Sequence, residues 1–297
     1  MRGDTRAAEQ ITGALESRGM LVENLSPVGV RPGIGEYLAQ LWERRHFIWM
    51  DARHRVATQN SRNRLGSLWL VLKPMLDAVM YFVVFVLILG VTRNMENYAA
   101  YVIIGVMMFR STMRSIGQGA NTLQSGKAMI RAFSFPRASL AISAEIRDAL
   151  QMTYAVATML VMIVIIPPHV FPAVTWLLVP VVFLMQFFLN LGITFCMARI
   201  GQLFPDTTQL MTFAGRFLMY GSGVLFPVER FLTHPIAMAL ITANPIYHML
   251  ALYRGLLMDH VIPPAEHWAI LGGWACGLTV IGFLFFWQGE ESYGSGQ

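Results

Sequence analysis

Residues 149–198, ALQMTYAVATMLVMIVIIPPHVFPAVTWLLVPVVFLMQFFLNLGITFCMA, contain no aspartate, glutamate, lysine or arginine. Residues 149–166 and 170–198, the two apolar halves, are each long enough to form most or all of the roughly 20-residue α-helix that crosses the roughly 30 Å hydrocarbon core of a bilayer. The break between the halves, Pro167-Pro168-His169, is short enough to be only a tight turn. The stretch therefore predicts two successive membrane-spanning helices.

The rest of the chain has the same character. Of its 297 residues, 55% are hydrophobic and 13% are charged, and the mean hydropathy is +0.51, values typical of an integral membrane protein. Cys196 and Cys276 lie in apolar runs and are predicted to be buried thiols. We predict an all-α membrane protein with six transmembrane helices, at residues 68–91, 98–119, 147–166, 170–198, 207–226 and 269–287.

The distribution of positive charge predicts the orientation. Residues 1–36 are mixed and polar and do not have the pattern of a cleavable signal peptide, so we expect a cytoplasmic N-terminal tail at 1–35. The positive residues behind the net charge of +5 are then expected mainly on the cytoplasmic side of the membrane, so the charge does not indicate nucleic-acid binding. Six spans also place a short C-terminal tail, residues 291–297, in the cytoplasm; a seventh span within residues 227–266 would place it outside.

Two amphipathic regions flank the spans. Residues 36–60 carry an apolar face with arginines elsewhere, which predicts an interface helix on the inner membrane surface; a helix docked on another subunit fits equally well. Residues 227–266 are interrupted by five prolines, and we expect two short outer-face helices there, about 231–243 and 245–259. The predicted apolar face of the interface helix comprises Leu38, Leu41, Trp42, Trp49, Ala52 and Val56.

Charges inside the spans point to function because they are costly in lipid. Asp77 lies just inside the inner boundary, either as the i,i+4 partner of Lys73 or as a cavity-facing carboxylate opposite an arginine. Arg110 and Arg114 lie one turn apart, and Arg216 lies about ten residues, or roughly 15 Å, from the end of its span at residue 226. These arginines either pair structurally with Asp77 or bind an anion.

Several stretches, taken in order and spacing, resemble the permease subunits of type-2 ABC exporters for polysaccharides, over about residues 36–294. In two places the sequence departs from that pattern: Gln288 stands where a basic residue is common, and FPD at 204–206 where many relatives have Arg-Asp. The stretches that carry the resemblance are SRNRLGSLWLVLKPMLDAVMY (61–81), NTLQSGKAMIRAFSFPRASL (121–140), LFPDTTQL (203–210), GVLFPVERF (223–231), ANPIYHMLALYRG (243–255) and FFWQGEESYGSG (285–296).

The resemblance implies a subunit of the bacterial cytoplasmic membrane that exports a lipid-linked polysaccharide, of O-antigen, teichoic acid or galactan type. It implies a homodimer with two ATP-binding cassette ATPase subunits. The chain itself has no phosphate-binding loop of the form G-x-x-x-x-G-K-[ST]. The stretch most similar to it, NTLQSGKA at 121–128, has Asn121 in place of the first glycine and Ala128 in place of the final serine or threonine. ATP and Mg²⁺ are therefore expected on the partner ATPase, and no cofactor in this chain.

The resemblance also implies a coupling set and an outer-gate set, whereas a channel set follows from the aromatic faces that a sliding glycan needs and from the charges inside the spans. Each channel aromatic taken alone is more often a packing or lipid-contact residue. The loop 125–138 would couple to the ATPase, although its basic residues could be plain topology anchors. The coupling set is Lys127, Arg131, Phe133, Phe135, Pro136 and Arg137. The channel set is Asp77, Tyr81, Phe85, Arg110, Arg114, Phe187, Phe188, Phe213, Arg216, Phe217 and Tyr220, with Tyr101, Phe109 and Phe195 as further aromatic candidates. The outer-gate set is Pro227, Asn244, Pro245, Tyr253 and Arg254.

Two other functions are less consistent with the sequence. A membrane-embedded glycosyl- or acyltransferase would gather carboxylates or histidines at one membrane face, whereas the seven histidines are scattered and no H-E-x-x-H motif occurs. A secondary transporter is usually built from inverted repeats, and the sequence has no such internal symmetry. The sequence therefore favours the exporter permease over both.

Overall fold

The computed structural model describes residues 32–58, 64–88, 97–133, 135–167, 169–204, 206–228 and 234–293. Every regular element in these ranges is helical, which confirms the predicted all-α class. In chain order the helices are α1 (Ile34–Glu43), α2 (Arg45–Thr58), α3 (Trp69–Tyr81), α4 (Tyr98–Ser125), α5 (Lys127–Ala132), α6 (Ala138–Ile165), α7 (Val179–Leu203), α8 (Thr207–Gly221), α9 (Pro235–Thr242), α10 (Pro245–Leu257) and α11 (Ala265–Gln288).

Three of the described helices are long and apolar enough to cross a membrane: α6, α7 with the 3-10 turn that precedes it (Val174–Leu203), and α11. They correspond to the predicted third, fourth and sixth spans, and they support a membrane protein. α6 begins at Ala138, nine residues before the predicted start. The Pro167 turn separates α6 from Val174–Leu203, as the sequence predicts.

The other three predicted spans coincide with α3, α4 and α8. α3 continues as a π-helical segment, Phe82–Ile88, after which residues 89–96 are outside the described ranges. α4 has 28 residues, and α8 has 15 because it ends at Gly221 and not at residue 226. The six-span topology stays a prediction.

α7 is the centre of the packing, with α11 on one side and α4 on another. Glycine allows both contacts. A Cβ on Gly282 would lie 2.5 Å from the carbonyl oxygen of Gly192, and a Cβ on Gly201 would overlap the backbone of Ala120. The backbones of α7, α11 and α4 therefore approach at distances that side chains would prevent.

The segment predicted as one interface helix forms two helices, because the chain breaks at Arg44 (φ −90°, ψ 8°) between α1 and α2, and its place on the membrane surface stays a prediction. The predicted single apolar face is also divided. Leu41 and Ala52 are buried against the protein, together with Tyr37 and Ile48, whereas Leu38, Trp42 and Trp49 are exposed. Helical spacing identified apolar positions but could not tell which of them pack on the rest of this chain.

Two short helices are present where the sequence predicts them, as α9 and α10, and their place on the outer face stays a prediction. Residues 229–233 between α8 and α9 lie outside the described ranges. Of the two cysteines, Cys196 is half-buried and Cys276 is exposed on α11. The expectation that both thiols are buried is therefore wrong for Cys276, because an apolar helix within a membrane protein also has faces that no other part of this chain covers.

Candidate functional site

A groove of about 470 Å³ runs between α4 and α8 and brings two of the predicted channel arginines together. Arg110 comes from α4 and Arg216 from α8. The helices approach closely because α8 has Gly215 at the contact, where a Cβ would lie 2.8 Å from the sulfur of Met113. The remaining lining is mainly apolar and includes Val106, Phe109, Ile116, Met211 and Met219.

Arg110 forms an ion pair with Asp77 of α3, which joins the first helix of the predicted bundle to α4. Asp77 is therefore opposite an arginine, and it does not pair with Lys73 one turn earlier on its own helix. The Arg110 side chain is 44% exposed and that of Asp77 is 26% exposed. Arg110 therefore lines the groove while it is paired with Asp77.

Arg216 is exposed and makes no hydrogen bond or ion pair with any residue that the structure describes. Because α8 ends at Gly221, Arg216 lies five residues from the end of its helix, or about 7.5 Å. Its distance from the helix end is thus half of the roughly 15 Å that the sequence suggested, and its depth in a membrane stays a prediction. The groove therefore contains Arg110, which is paired, and Arg216, which has no partner among the described residues, together with a lining rich in methionine.

The predicted channel aromatics divide into exposed and buried groups. Phe213 and Phe217 are 60% and 67% exposed on α8, with their rings edge-to-face at 5.2 Å, and Tyr220 is exposed one turn further. Phe188 is also exposed, whereas Phe187 is half-buried. Tyr101, Phe109 and Phe195 are core residues, and the side chains of Tyr81 and Phe85 are outside the described part of the chain.

Arg114 does not share the groove with Arg110, although one turn separates them. It extends toward α6, where it donates to Gln151 at 3.4 Å. The same region holds Glu145, which accepts from Thr194 at 3.0 Å, and Asp148, whose carboxylate lies 3.6 Å from Arg147. Glu145, Arg147 and Asp148 thus form, with Arg114, a largely buried polar cluster between α4, α6 and α7.

At the other end of α8 the chain turns sharply through residues 222–226. Gly223 adopts φ +67°, and the Val224 N–H donates back to the Met219 carbonyl, as in a Schellman motif. Arg254 of α10 donates to the carbonyls of Gly223 and Val224, both at 2.9 Å. Its guanidinium also lies over the ring of Tyr101. Arg254 is thus a buried cation that holds the turn.

The other predicted gate residues surround the same turn. Asn244 accepts from the Ile246 N–H as the N-cap of α10 and donates to Ser222 at 2.7 Å. Tyr253 donates to Gln186 of α7 at 2.9 Å. Pro245 occupies the first turn of α10, and Pro227 is half-buried just beyond the turn. The structure brings this set together around one segment; the gating role stays a prediction.

The opposite end of the bundle is held by Tyr37 and Glu290, which sequence reasoning missed. The Tyr37 hydroxyl donates to Glu290 at 2.8 Å and accepts from the Ala138 N–H at 3.0 Å, while Glu290 also accepts from the Arg137 N–H at 2.9 Å. Burial raises the pKa of Glu290 above 4.5, and burial together with Glu290 raises the pKa of the Tyr37 hydroxyl well above 10. Tyr37 therefore stays protonated and donates.

These bonds connect the Phe-Pro-Arg stretch with the tail GEESYGSG, which are far apart in the sequence. Of the predicted coupling residues, Phe133 is 66% exposed and Lys127 is exposed, whereas Phe135 is half-buried near the Arg44 guanidinium. Pro136 is buried and Arg137 half-buried. The Arg131 side chain is outside the described residues. Phe133 is therefore the most exposed aromatic side chain in the described part of this loop, and its role in coupling stays a prediction.

Among the described residues, no group of three or more histidine, cysteine, aspartate or glutamate side chains is placed to hold a metal ion. The structure is thus that of an all-helical membrane protein with a groove lined by Arg110 and Arg216. At one end Arg254 holds the turn after α8, and at the other end the loop around Phe133 is partly exposed. No protein-family model matches the chain.

Three curated proteins are similar to it, all named O-antigen export system permease protein RfbA. The protein from Myxococcus xanthus is 23% identical over 202 residues, covering 68% of this chain and 76% of the relative. Two from Klebsiella pneumoniae are each 22% identical, over 224 and 223 residues, and cover 75% and 74% of this chain and 83% of each relative. The chain is thus similar to permease subunits of type-2 ABC exporters, as its motifs predict, and this likeness supports a transporter subunit rather than an enzyme.

Proposed function

We propose that the chain is the permease subunit of an ATP-driven exporter that moves a lipid-linked polysaccharide outward across the bacterial cytoplasmic membrane. In this proposal two copies form the pathway and two ATP-binding cassette ATPase subunits bind the inner face, with both termini in the cytoplasm. Six spans, with α1 and α2 on the inner surface and α9 and α10 on the outer one, provide the topology. The relatives named as O-antigen export permeases support this assignment.

The observation that carries the proposal is the groove in which Arg110 and Arg216 face an apolar, methionine-rich surface. A lipid-linked glycan joins a hydrocarbon chain to sugars through a diphosphate. Guanidinium groups are well suited to bind phosphate oxygens, and the apolar lining suits the hydrocarbon portion. The neighbouring exposed rings of Phe213, Phe217 and Tyr220 offer faces on which sugars can slide.

The coupling loop has a consistent place in this proposal. Phe133 is the exposed aromatic residue available to the ATPase, while the backbone of Arg137 is tied to Glu290. Force applied at Phe133 would therefore be transmitted into α6 and the C-terminal end of α11. The galactan, O-antigen and teichoic acid classes share the diphosphate linkage, so the groove suits all three.

The test uses the source bacterium with this gene deleted and complemented. In the deletion strain we expect lipid-linked glycan to accumulate on the cytoplasmic side. The Arg216→Gln variant should accumulate to wild-type abundance, but its export should be lower by about ten-fold or more. The reason is that it loses hydrogen bonds to a charged phosphate, each of which contributes roughly 1.5–3 kcal/mol to binding. The matched control, Arg64→Gln, changes an exposed arginine outside the groove and should restore export.

Arg110 needs a paired design because its removal alone leaves Asp77 without its partner. The double variant Asp77→Asn with Arg110→Gln keeps the site neutral, and we expect a stable protein with reduced export. Unchanged export by both Arg216→Gln and this double variant would contradict the assigned role of the groove. Sugar transfer by the purified chain without an ATPase would contradict the permease assignment itself.

A further inference from the structure

A second cavity, of about 420 Å³, lies beneath α2 where that helix crosses α4 and α6, away from the arginine groove. It is polar, whereas the groove is largely apolar. Three ionisable side chains line it, two arginines and one aspartate, so its lining has a net positive charge. The principal polar residues are Asp51 and Arg55 from α2, Gln118 and Asn121 from α4, and Ser143 and Arg147 from α6.

The two guanidinium groups are held in place through only part of their hydrogen-bonding capacity. Arg55 donates from Nε to both carboxylate oxygens of Asp51, at 2.8 and 3.0 Å. Arg147 has its Nε 3.6 Å from Asp148 and donates one terminal nitrogen to Gln118. Among the described residues, both terminal nitrogens of Arg55 and one of Arg147 make no hydrogen bond. The cavity thus has oriented donors of positive charge.

Asp51 does not cancel this character, because its carboxylate is already engaged. Besides Arg55, it accepts a 2.5 Å hydrogen bond from the Ser143 hydroxyl, which ties α2 to α6. Both oxygens of Asp51 therefore have partners from within the protein. An anion that enters the cavity meets guanidinium N–H groups and a carboxylate whose charge is locally compensated.

The α4 side of the cavity supplies hydrogen-bond acceptors. The Asn121 amide nitrogen donates to the Gly117 carbonyl at 2.9 Å, which leaves its amide oxygen for a ligand. The hydroxyls of Thr122 and Ser125 donate to backbone carbonyls, at 2.8 and 3.0 Å, and so present their lone pairs. A ligand that fits must carry both negatively charged oxygens and hydroxyl groups.

We propose that this cavity binds a phosphate ester whose alcohol part carries free hydroxyl groups. Two sources have this chemistry: the headgroup of an anionic glycerophospholipid and the sugar-phosphate end of a lipid-linked glycan. The second source rests on the proposed function. α2 also exposes Phe47, Trp49 and Met50, apolar side chains that a surface helix inserts among lipids, so the cavity lies at headgroup depth.

The test measures binding to the purified full-length chain in detergent. Isothermal titration with glycerol 1-phosphate should show binding, weaker binding of inorganic phosphate, and none of glycerol. Arg55→Gln should weaken glycerol phosphate binding about ten-fold, since it removes hydrogen bonds to a charged group. Arg53→Gln changes an exposed arginine on the same helix that does not line the cavity, and should leave binding unchanged.

Asn121→Asp provides a second, independent variant. It keeps the shape of an exposed side chain on α4 but adds a negative charge to the cavity, and it should abolish phosphate binding without changing the melting temperature. Equal binding by the Arg55→Gln and Arg53→Gln variants would overturn the proposal, as would binding of glycerol as tight as that of glycerol phosphate.

Native mass spectrometry separates the two sources. Retained phosphatidylglycerol, lost in Arg55→Gln but not in Arg53→Gln, identifies the lipid headgroup. If glycerol phosphate binds but phosphatidylglycerol is not retained over phosphatidylcholine, the glycan end is the ligand. These measurements require no transport, so failure of the export assay and failure of this binding assay are distinguishable.

Discussion

Replacing Tyr37 by Phe removes one hydroxyl from the inner end of the bundle and tests whether that hydroxyl holds three elements together. The phenyl ring retains the packing of Tyr37 against Phe283, whose ring centre lies 6.0 Å away. The substitution leaves the N–H of Ala138 without its acceptor and one oxygen of Glu290 without its donor. All three residues are buried, so water does not replace the lost partner.

The expected cost follows from these two orphaned groups. Each buried polar group without a partner costs about 1–3 kcal/mol, so the variant should lose roughly 2–6 kcal/mol of stability. For a chain of this size that loss corresponds to a melting temperature lower by about 3–10 °C. The measurement is thermal unfolding of the purified full-length chain in one detergent, at one scan rate and at pH 7.

Tyr154→Phe is the matched control because it makes the same chemical change at an exposed tyrosine. The Tyr154 hydroxyl makes no hydrogen bond with the described residues, so this variant should melt within about 1 °C of the unchanged protein. If Tyr37→Phe also melts within that range, the reasoning about the inner-end network is wrong. Equal loss in both variants would instead indicate a general effect of removing tyrosine hydroxyls.

Three further predictions concern single positions. Burial raises the pKa of Glu290, so the folded chain binds the Glu290 proton more tightly than the unfolded chain does, and stability should fall as pH rises from 4.5 through the raised pKa. Glu290→Gln should flatten this pH dependence in melting curves recorded between pH 4.5 and 8. An unchanged slope would show that other groups cause the dependence. Arg254→Gln leaves the carbonyls of the pinned turn without their donor and should cost roughly 3–5 kcal/mol, measured as lower yield and melting temperature; wild-type melting would contradict this. Gly192→Ala should destabilise the protein by about 1–3 kcal/mol, because the added Cβ would meet the backbone of Leu278. Gly273→Ala has open space around it and should stabilise the protein by up to about 1 kcal/mol. A change in stability of the same sign in both variants would refute the close approach of α7 and α11.

The helical class was predictable because the apolar runs are long and almost free of charge. The turn at Pro167 and the two short helices α9 and α10 were predictable because proline interrupts the apolar pattern there. The end of α8 was not. Its apolar pattern continues to residue 226, but Gly223 and the carbonyl contacts of Arg254 turn the chain five residues earlier.

The candidate site was predictable as a set of residue types and not as an arrangement. Arginines in apolar segments are conspicuous because they are costly in lipid, and Arg110, Arg114 and Arg216 were identified on that ground. Asp77 was identified as a possible partner, but the sequence could not tell which arginine it pairs with, and Gln151 was not identified, because these partners come from different helices 33 and 37 residues away. Tyr37 and Glu290 carried no signal, since a tyrosine and a glutamate near polar termini look like ordinary surface residues.

The sequence by itself determined that the chain is helical, apolar enough for a membrane, devoid of a phosphate-binding loop, and similar in its motifs to exporter permeases. Local physics suffices for these properties, because helix length, charge cost and motif spacing are all measured along one segment. Tertiary structure alone decided that Arg110 turns to Asp77 while Arg114, one turn away, turns to α6. It also decided that the Phe-Pro-Arg stretch meets the tail through Glu290. Helical periodicity gives the direction of a side chain from its own axis, but the group that it meets is set by how helices distant in the sequence pack together.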